Sequence, residues 1–184
     1  YKNLNINLLA KKYVNKETSL VKQIQELKDL CANPLNNNEI VTATKDCVYL
    51  SRDGGKTWKN IKSMSMKTAG NKAVAVATIK GECTVFMSHP ILGFSYIKPD
   101  SKNPVWVDVD AGFERFQENS NVDEISDILP VVRTNPDGSE YTDIFISQTF
   151  RPRIYKFDWE TKKGIQIYKG KEPVDTYDGL TTID

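Results

Sequence analysis

Apolar residues in the first part of the chain fall at Leu20, Val21, Ile24, Leu27 and Leu30, the spacing of one helical face. Thr18 and Ser19 are suited to capping the start of such a helix, and Asn33-Pro34 stops it because the residue before proline avoids the α region. The pattern predicts a helix over 18–32 inside an N-terminal helical segment, residues 1–35, with a short strand at 4–9. From residue 36 the period changes. Short apolar runs rich in β-branched and aromatic residues alternate with turn residues, predicting strands at 39–44, 47–51 and 57–61, at 72–79, 83–88, 94–98 and 105–109, and at 128–134, 141–147, 153–158 and 165–168. Asn135-Pro136-Asp137-Gly138 and Lys162-Lys163-Gly164 carry the chemistry of tight turns between them. Each cluster reads as an antiparallel meander. Meanders that recur at about 40–50 residues suggest the blades of a β-propeller, so the expected fold is all-β over residues 36–184, about three blades.

Composition narrows the function. The chain has 184 residues, of which 39% are hydrophobic and 27% charged, enough apolar matter for a core. Twenty-five basic residues against 24 acidic ones give a formal charge of +1, which argues against a nucleic-acid binder with its net basic face. No run approaches the ~18 apolar residues of a membrane span. The chain opens on Tyr1 and ends on Asp184 just after Thr181-Thr182-Ile183, which reads as the opening of a strand. A processed or trimmed chain is the expectation, and a removed signal peptide would leave no trace in it.

One stretch is specific: Ser51-Arg52-Asp53-Gly54-Gly55-Lys56-Thr57-Trp58. Asp53 can accept hydrogen bonds from turn amides, Gly54 and Gly55 admit positive φ, Ser51 and Thr57 can bond across the flanking strands, and Trp58 supplies a large ring to bury. The stretch resembles the Asp-box, or BNR repeat, whose pattern Ser-x-Asp-x-Gly-x-Thr-Trp is matched at Ser51, Asp53, Gly55, Thr57 and Trp58. Residues 99–106, ending on Trp106, look like an eroded copy, and residues 157–164, with Asp158 and Trp159, like a weaker one.

The resemblance implies an Asp-box β-propeller of the sialidase-like and sortilin-like superfamily, in which the box is a structural hairpin. Members include sialidases and other glycoside hydrolases, receptor ectodomains and assembly factors, many of them exported. Propellers typically need about four to eight blades, so the remaining ones are expected from missing sequence or from another chain. The first expectation for function is a non-catalytic module that binds a protein or carbohydrate ligand on its loops. The alternative is part of a sialidase-like glycoside hydrolase whose catalytic residues lie mostly outside these residues. No catalytic residue, metal ligand or cofactor is assigned. Localisation stays open, with an exported protein implied only by the family.

Other chemistry reads as structural. His89 is the single histidine and precedes Pro90 at a strand end. Cys31, Cys47 and Cys83 lack Cys-x-x-Cys spacing; Cys47 and Cys83 read as small hydrophobes, with a bridge between them as the alternative in an oxidising compartment. Arg52 is expected in solvent, and Arg151 and Arg153 on a surface loop. The acidic run from Asp108 to Asp127 fails the EF-hand pattern and reads as a solvated loop. Trp159, Tyr155 and Phe150 are the aromatics favoured for stacking on a sugar ring.

Overall fold

The computed structural model describes residues 27–44, 47–63, 73–89, 93–109, 111–113, 125–148 and 152–171. Twelve strands in these residues form three four-stranded antiparallel sheets, each a simple meander. The first holds β1 (Asp29–Asn33), β2 (Asn36–Ala43), β3 (Cys47–Ser51) and β4 (Lys59–Ser63). The second holds β5 (Val74–Ile79), β6 (Glu82–His89), β7 (Gly93–Ile97) and β8 (Val107–Asp108). The third holds β9 (Ile125–Thr134), β10 (Glu140–Gln148), β11 (Arg153–Asp158) and β12 (Lys163–Lys169). The all-β expectation and the three clusters of strands are met.

The predicted helix over 18–32 is corrected at its C-terminal end. Asp29–Asn33 is a strand that pairs antiparallel with β2 from Asp29–Ala43 to Asn33–Asn36. The boundary drawn at residue 35 therefore runs through a hairpin, and β1 completes the first sheet. Asn33 explains the reversal: its side-chain oxygen accepts from the Leu35 N–H at 3.1 Å, an Asx turn across Pro34. Proline there ends a strand as readily as a helix. The rest of that helix and the strand at 4–9 lie outside the described residues.

Burial follows from which faces are covered. In β5, Val74 and Val76 join one apolar cluster with Val41, Val48, Leu50, Val85 and Met87 of the first two sheets. Ala75, Ala77 and Ile79 join a second with Phe86, Phe94, Ile128, Ile144, Ile146, Tyr155 and Phe157. The middle sheet is thus packed on both faces, which is why β5 reads as an unbroken apolar run. The third sheet is packed on one face, and its other side leaves Leu129, Ile165, Ile167 and Tyr168 more than half exposed.

β1 and β5 are each the first edge of their sheet, and they lie against one another. The Val74 N–H donates to Asp29 Oδ2 at 2.7 Å. The Val76 N–H lies at the Cys31 sulfur, and Asn33 Nδ2 donates to Thr78 Oγ1 at 2.9 Å. Contacts that advance together along both strands set them in the same direction. Asp29 also accepts from the Leu30 N–H at 2.7 Å. Burial pushes its carboxyl above the ordinary aspartate value, and those two amides pull it back.

The segment 111–113 closes over the third sheet. The Gly164 N–H donates to the Ala111 carbonyl at 2.9 Å. Gly112 has φ +84°, and a Cβ on it would stand 2.2 Å from the Gly164 carbonyl oxygen.

Two substitutions measure these constraints. Asp29→Ala removes the acceptor of the Val74 amide and is expected to cost about 1–3 kcal/mol by urea unfolding, with Asp29→Asn losing less because one oxygen remains. Equal losses would show that the amide contact does not matter. Gly112→Ala and Gly138→Ala start from the same φ of +84°, but Gly138 has open space around it. The backbone strain of about 1–3 kcal/mol is common to both, so Gly112→Ala should lower the melting temperature further. Equal shifts would remove the close backbone approach.

Candidate functional site

The turn from Ser51 to Trp58 is built on its side chains. Ser51 is fully buried; its hydroxyl donates to Asp53 Oδ1 at 2.9 Å and accepts from the Gly55 N–H at 2.8 Å. Asp53 Oδ1 accepts from the Lys56 and Thr57 N–H groups at 2.9 and 2.8 Å, and Oδ2 accepts from the Thr57 hydroxyl at 2.7 Å. Gly54 and Gly55 take φ of +70° and +87°. Ser51 and Thr57 thus bond to Asp53 within the turn, where cross-strand bonds were expected. Trp58 is half-buried and donates its indole N–H to the Gly55 carbonyl at 3.2 Å. The Thr57 hydroxyl and amide are the main reason the Asp53 carboxyl is held down at about 2.

Arg52 is not simply solvated. Its guanidinium bridges Glu39 and Asp100, each at 2.6 Å, tying the turn to β2 and to the β7–β8 connection. Asp100 is therefore spent on Arg52, and the copy at 99–106 keeps only its tryptophan: Trp106 donates to the Ile61 carbonyl at 3.1 Å. The stretch 157–164 shows a similar carboxylate pattern. Asp158 Oδ1 accepts from the Glu160 N–H at 2.9 Å and Oδ2 from the Thr161 hydroxyl at 2.7 Å. Those bonds, led by the Thr161 hydroxyl, lower the Asp158 pKa below the ordinary aspartate value.

The three stacking candidates separate. Phe150 lies outside the described residues. Tyr155 is 1% exposed and packs its ring against Phe113 in the core, so no ligand can reach it; it sits on the covered face of β11, paired with Ile146. Trp159 stands at the end of β11, half-buried, with its ring steeply inclined to those of Phe86 and Phe157. Lys162 Nζ rests 3.3 Å from its ring centroid.

Trp159 forms part of a cleft of about 490 Å³. The ladder between β10 and β11 ends at the Phe145–Lys156 pair, whereas β9 and β10 stay paired as far as Glu140–Thr134. Beyond that point Tyr141, Thr142 and Asp143 form one wall and Lys156, Phe157, Asp158 and Trp159 the other. Ile79, Lys80, Ile165 and Ile167 complete the lining. Asp143 is held by Lys156 Nζ at 2.8 Å and Arg133 Nε at 3.6 Å. Among the described residues the Thr142 hydroxyl oxygen, which is buried, has no hydrogen-bond partner. The volume falls in the range of small-molecule sites, roughly 300–1,000 Å³, and the lining is mostly apolar with a few polar groups.

Sequence reasoning reached Trp159 and missed the rest of the cleft. Tyr141, Thr142, Asp143 and Lys156 lie inside strands, and their only signal is polar residues interrupting the apolar alternation of β10 and β11. Arg153, expected on a surface loop, is 2% exposed. All three cysteines are free thiols, so Cys47 and Cys83 form no bridge; burial pushes the Cys83 thiol up to about 12. The loop at 135–139 is a β-turn as read, with the Gly138 N–H donating to the Asn135 carbonyl at 2.9 Å. Among the described residues no group of three His, Cys, Asp or Glu side chains is placed to hold a metal ion, and no helix is long and apolar enough to cross a membrane.

A depressed carboxyl contributes stability that is present above its unfolded pKa of about 3.9 and is lost as the pH falls through its folded value. For Asp53 that window runs from about 4 down to about 2. The difference in urea midpoint between wild type and Asp53→Asn is therefore expected to be largest near pH 7 and to close as the pH approaches 2. A gap that persists unchanged at pH 2 would show that charge at Asp53 contributes nothing.

No known protein family, no curated protein and no solved structure matches the chain.

Proposed function

We propose that this chain is a non-catalytic β-propeller module of the Asp-box type that binds a carbohydrate in the cleft between β10 and β11. The cleft carries the reading. Trp159 and Tyr141 give it aromatic surface suited to the apolar faces of a sugar ring, and Thr142, Asp143 and Lys156 put hydrogen-bonding groups beside them.

Its carboxylates favour binding over chemistry. Hydrolysis of a glycoside needs a carboxylic acid with a raised pKa to protonate the leaving oxygen. Asp158 is shifted the other way by its turn, and Asp143 lies between two cations.

The propeller rests on three supports. Each sheet is ordered from its first strand outward, β5 neighbours the first strands β1 and β9 of the other two sheets, and β1 and β5 run in the same direction. The middle sheet is covered on both faces as an inner blade is. The Asp53 and Asp158 turns, with their matching carboxylate-to-threonine bonds, support the repeat. A protein partner on the same loops is the other form of this binding role.

Titration of the protein with a panel of oligosaccharides, followed by the fluorescence of its three tryptophans, tests the reading. Saccharide binding is expected to weaken about threefold to tenfold in Tyr141→Ala, the equivalent of about 0.5–1.5 kcal/mol for one aromatic contact, and further in Trp159→Ala. Tyr141 is 42% exposed and belongs to neither apolar cluster, so its variant leaves the core intact. Absence of saccharide binding at millimolar concentration, or unchanged affinity in both variants, would overturn the carbohydrate reading. Turnover of a glycoside that is abolished by one carboxylate substitution would overturn the non-catalytic one.

A further inference from the structure

Two hairpin turns at the rim of the cleft share an unusual backbone. Among the described residues, Lys80 and Lys162 are the only non-glycine residues with positive φ, at +51° and +56°. A long side chain in the left-handed region is uncommon, and such strain concentrates where it serves a site. Lys80 fills the first position of the two-residue turn between the Ile79–Glu82 pair, with Gly81 at φ +80° behind it. Asn, Asp or Gly is the ordinary choice there. Lys162 lies immediately before the Asp158–Lys163 pair that closes the β11–β12 turn.

Lys162 of the second turn and Lys98, which follows β7, converge on the same rings. Lys162 Nζ sits 3.3 Å from the Trp159 centroid and 5.4 Å from that of Tyr96, and Lys98 Nζ is 5.5 Å from Trp159. Lys80 pairs with Glu160 and Lys98 with Glu82, both carboxylates being more than half exposed. Exposed pairs of this kind are weak and exchange readily. Among the described residues Lys162 has no carboxylate within ion-pair distance, and its ammonium lies over the rings. Burial and the neighbouring Lys98 and Lys80 charges disfavour its ammonium form, lowering its pKa, while Glu160 and Asp158 compensate only in part. Glu82, Asp158 and Glu160 stand here with Lys80, Lys98 and Lys162, but among the described residues Lys162 alone of these lysines lacks a direct ion pair, beside the cleft that Lys80 and Trp159 line.

We infer that Lys162, with Lys80 and Lys98, receives an anionic substituent, a carboxylate or a sulfate ester, on the sugar bound in the neighbouring cleft. The inference rests on the carbohydrate reading and names its ligand class as acidic saccharides. The sugar ring lies along Tyr141 and Trp159, and its anion replaces the missing counter-charge at Lys162 while drawing Lys80 and Lys98 from their exposed carboxylates.

The test compares matched ligands by calorimetry: neutral galacto-oligosaccharides, oligogalacturonates of the same length, and sulfated galacto-oligosaccharides. The acidic forms are expected to bind at least about tenfold tighter than the neutral one in about 0.05 M salt. That advantage should shrink in about 0.5 M salt as the lysine charges are screened. Whichever acidic form wins identifies the group. In Lys162→Gly the advantage is expected to vanish while the unfolding midpoint does not fall, because glycine relieves the left-handed strain. Lys162→Met, which keeps a long side chain, should lose the same preference. Neutral saccharides binding as tightly as acidic ones, or a preference that survives both variants, would overturn this inference and leave the carbohydrate reading standing. No binding by any of the three would overturn both.

Discussion

The open edge of β5 is the constraint on which the arrangement of the described sheets turns. A meander leaves the N–H groups of its first strand without ladder partners, and a buried amide without a partner costs about 1–3 kcal/mol. β5 is buried on both faces, so water cannot easily serve that edge. β1 serves it instead, through the Asp29 carboxylate and the Cys31 sulfur, while two residues on the Asn33 amide donates to the Thr78 hydroxyl. Since side chains on alternate residues share one side of a strand, β1 meets β5 at a two-residue repeat that fixes both register and direction. The two apolar clusters then form on either side of β5 because its odd and even side chains are divided between them. A polar ladder sets the alignment and apolar burial supplies most of the stabilisation.

Much of this was legible in the chain. The alternation of apolar runs and turn residues located eleven of the twelve strands, and β3 and β11 fall on their predicted bounds. β1 was misread because Leu27 and Leu30 continue a helical spacing, and local spacing says nothing about a hairpin partner ten residues on. Pairing with β2 overrode it. The turn residues Asp53 and Gly55 were legible because their chemistry is local. The cleft was not, since it exists only where the β10–β11 ladder stops short, a property of register. Tyr155 and Trp159 are four residues apart with similar side chains, yet one packs in the core and the other stands at a strand end. The face that a strand residue presents is decided by the sheet it joins.

The carboxylates show how one residue type is given different work. Asp53 and Asp158 are acceptors inside turns, and the hydroxyl and amide donors that hold those turns also hold the acids ionised. Asp143 anchors two cations between strands, and Asp29 meets buried amides. Each has its lone pairs committed to the fold. The lowered carboxyls of Asp53 and Asp158 are poor proton donors at neutral pH. At the cleft, the same bonds that stabilise the Asp158 turn keep its carboxyl ionised, which suits the proposed binding role.

The choice of residues at positive φ carries this contrast further. Where a reversal has no neighbours to meet, as at Gly81 and Gly138, glycine takes the left-handed conformation without strain. Where backbones touch, as at Gly112 against Gly164, no other residue fits. Lys80 and Lys162 follow neither rule. A side chain adds strain there that glycine would remove, and its charge is desolvated against tryptophan at Lys162. Cation–π attraction, about 0.5–2 kcal/mol, can offset one such strained residue but leaves little surplus. Stability alone does not favour lysine at these two corners. Their common position beside Trp159 fits a requirement for positive charge at that end of the cleft, which the fold itself does not need.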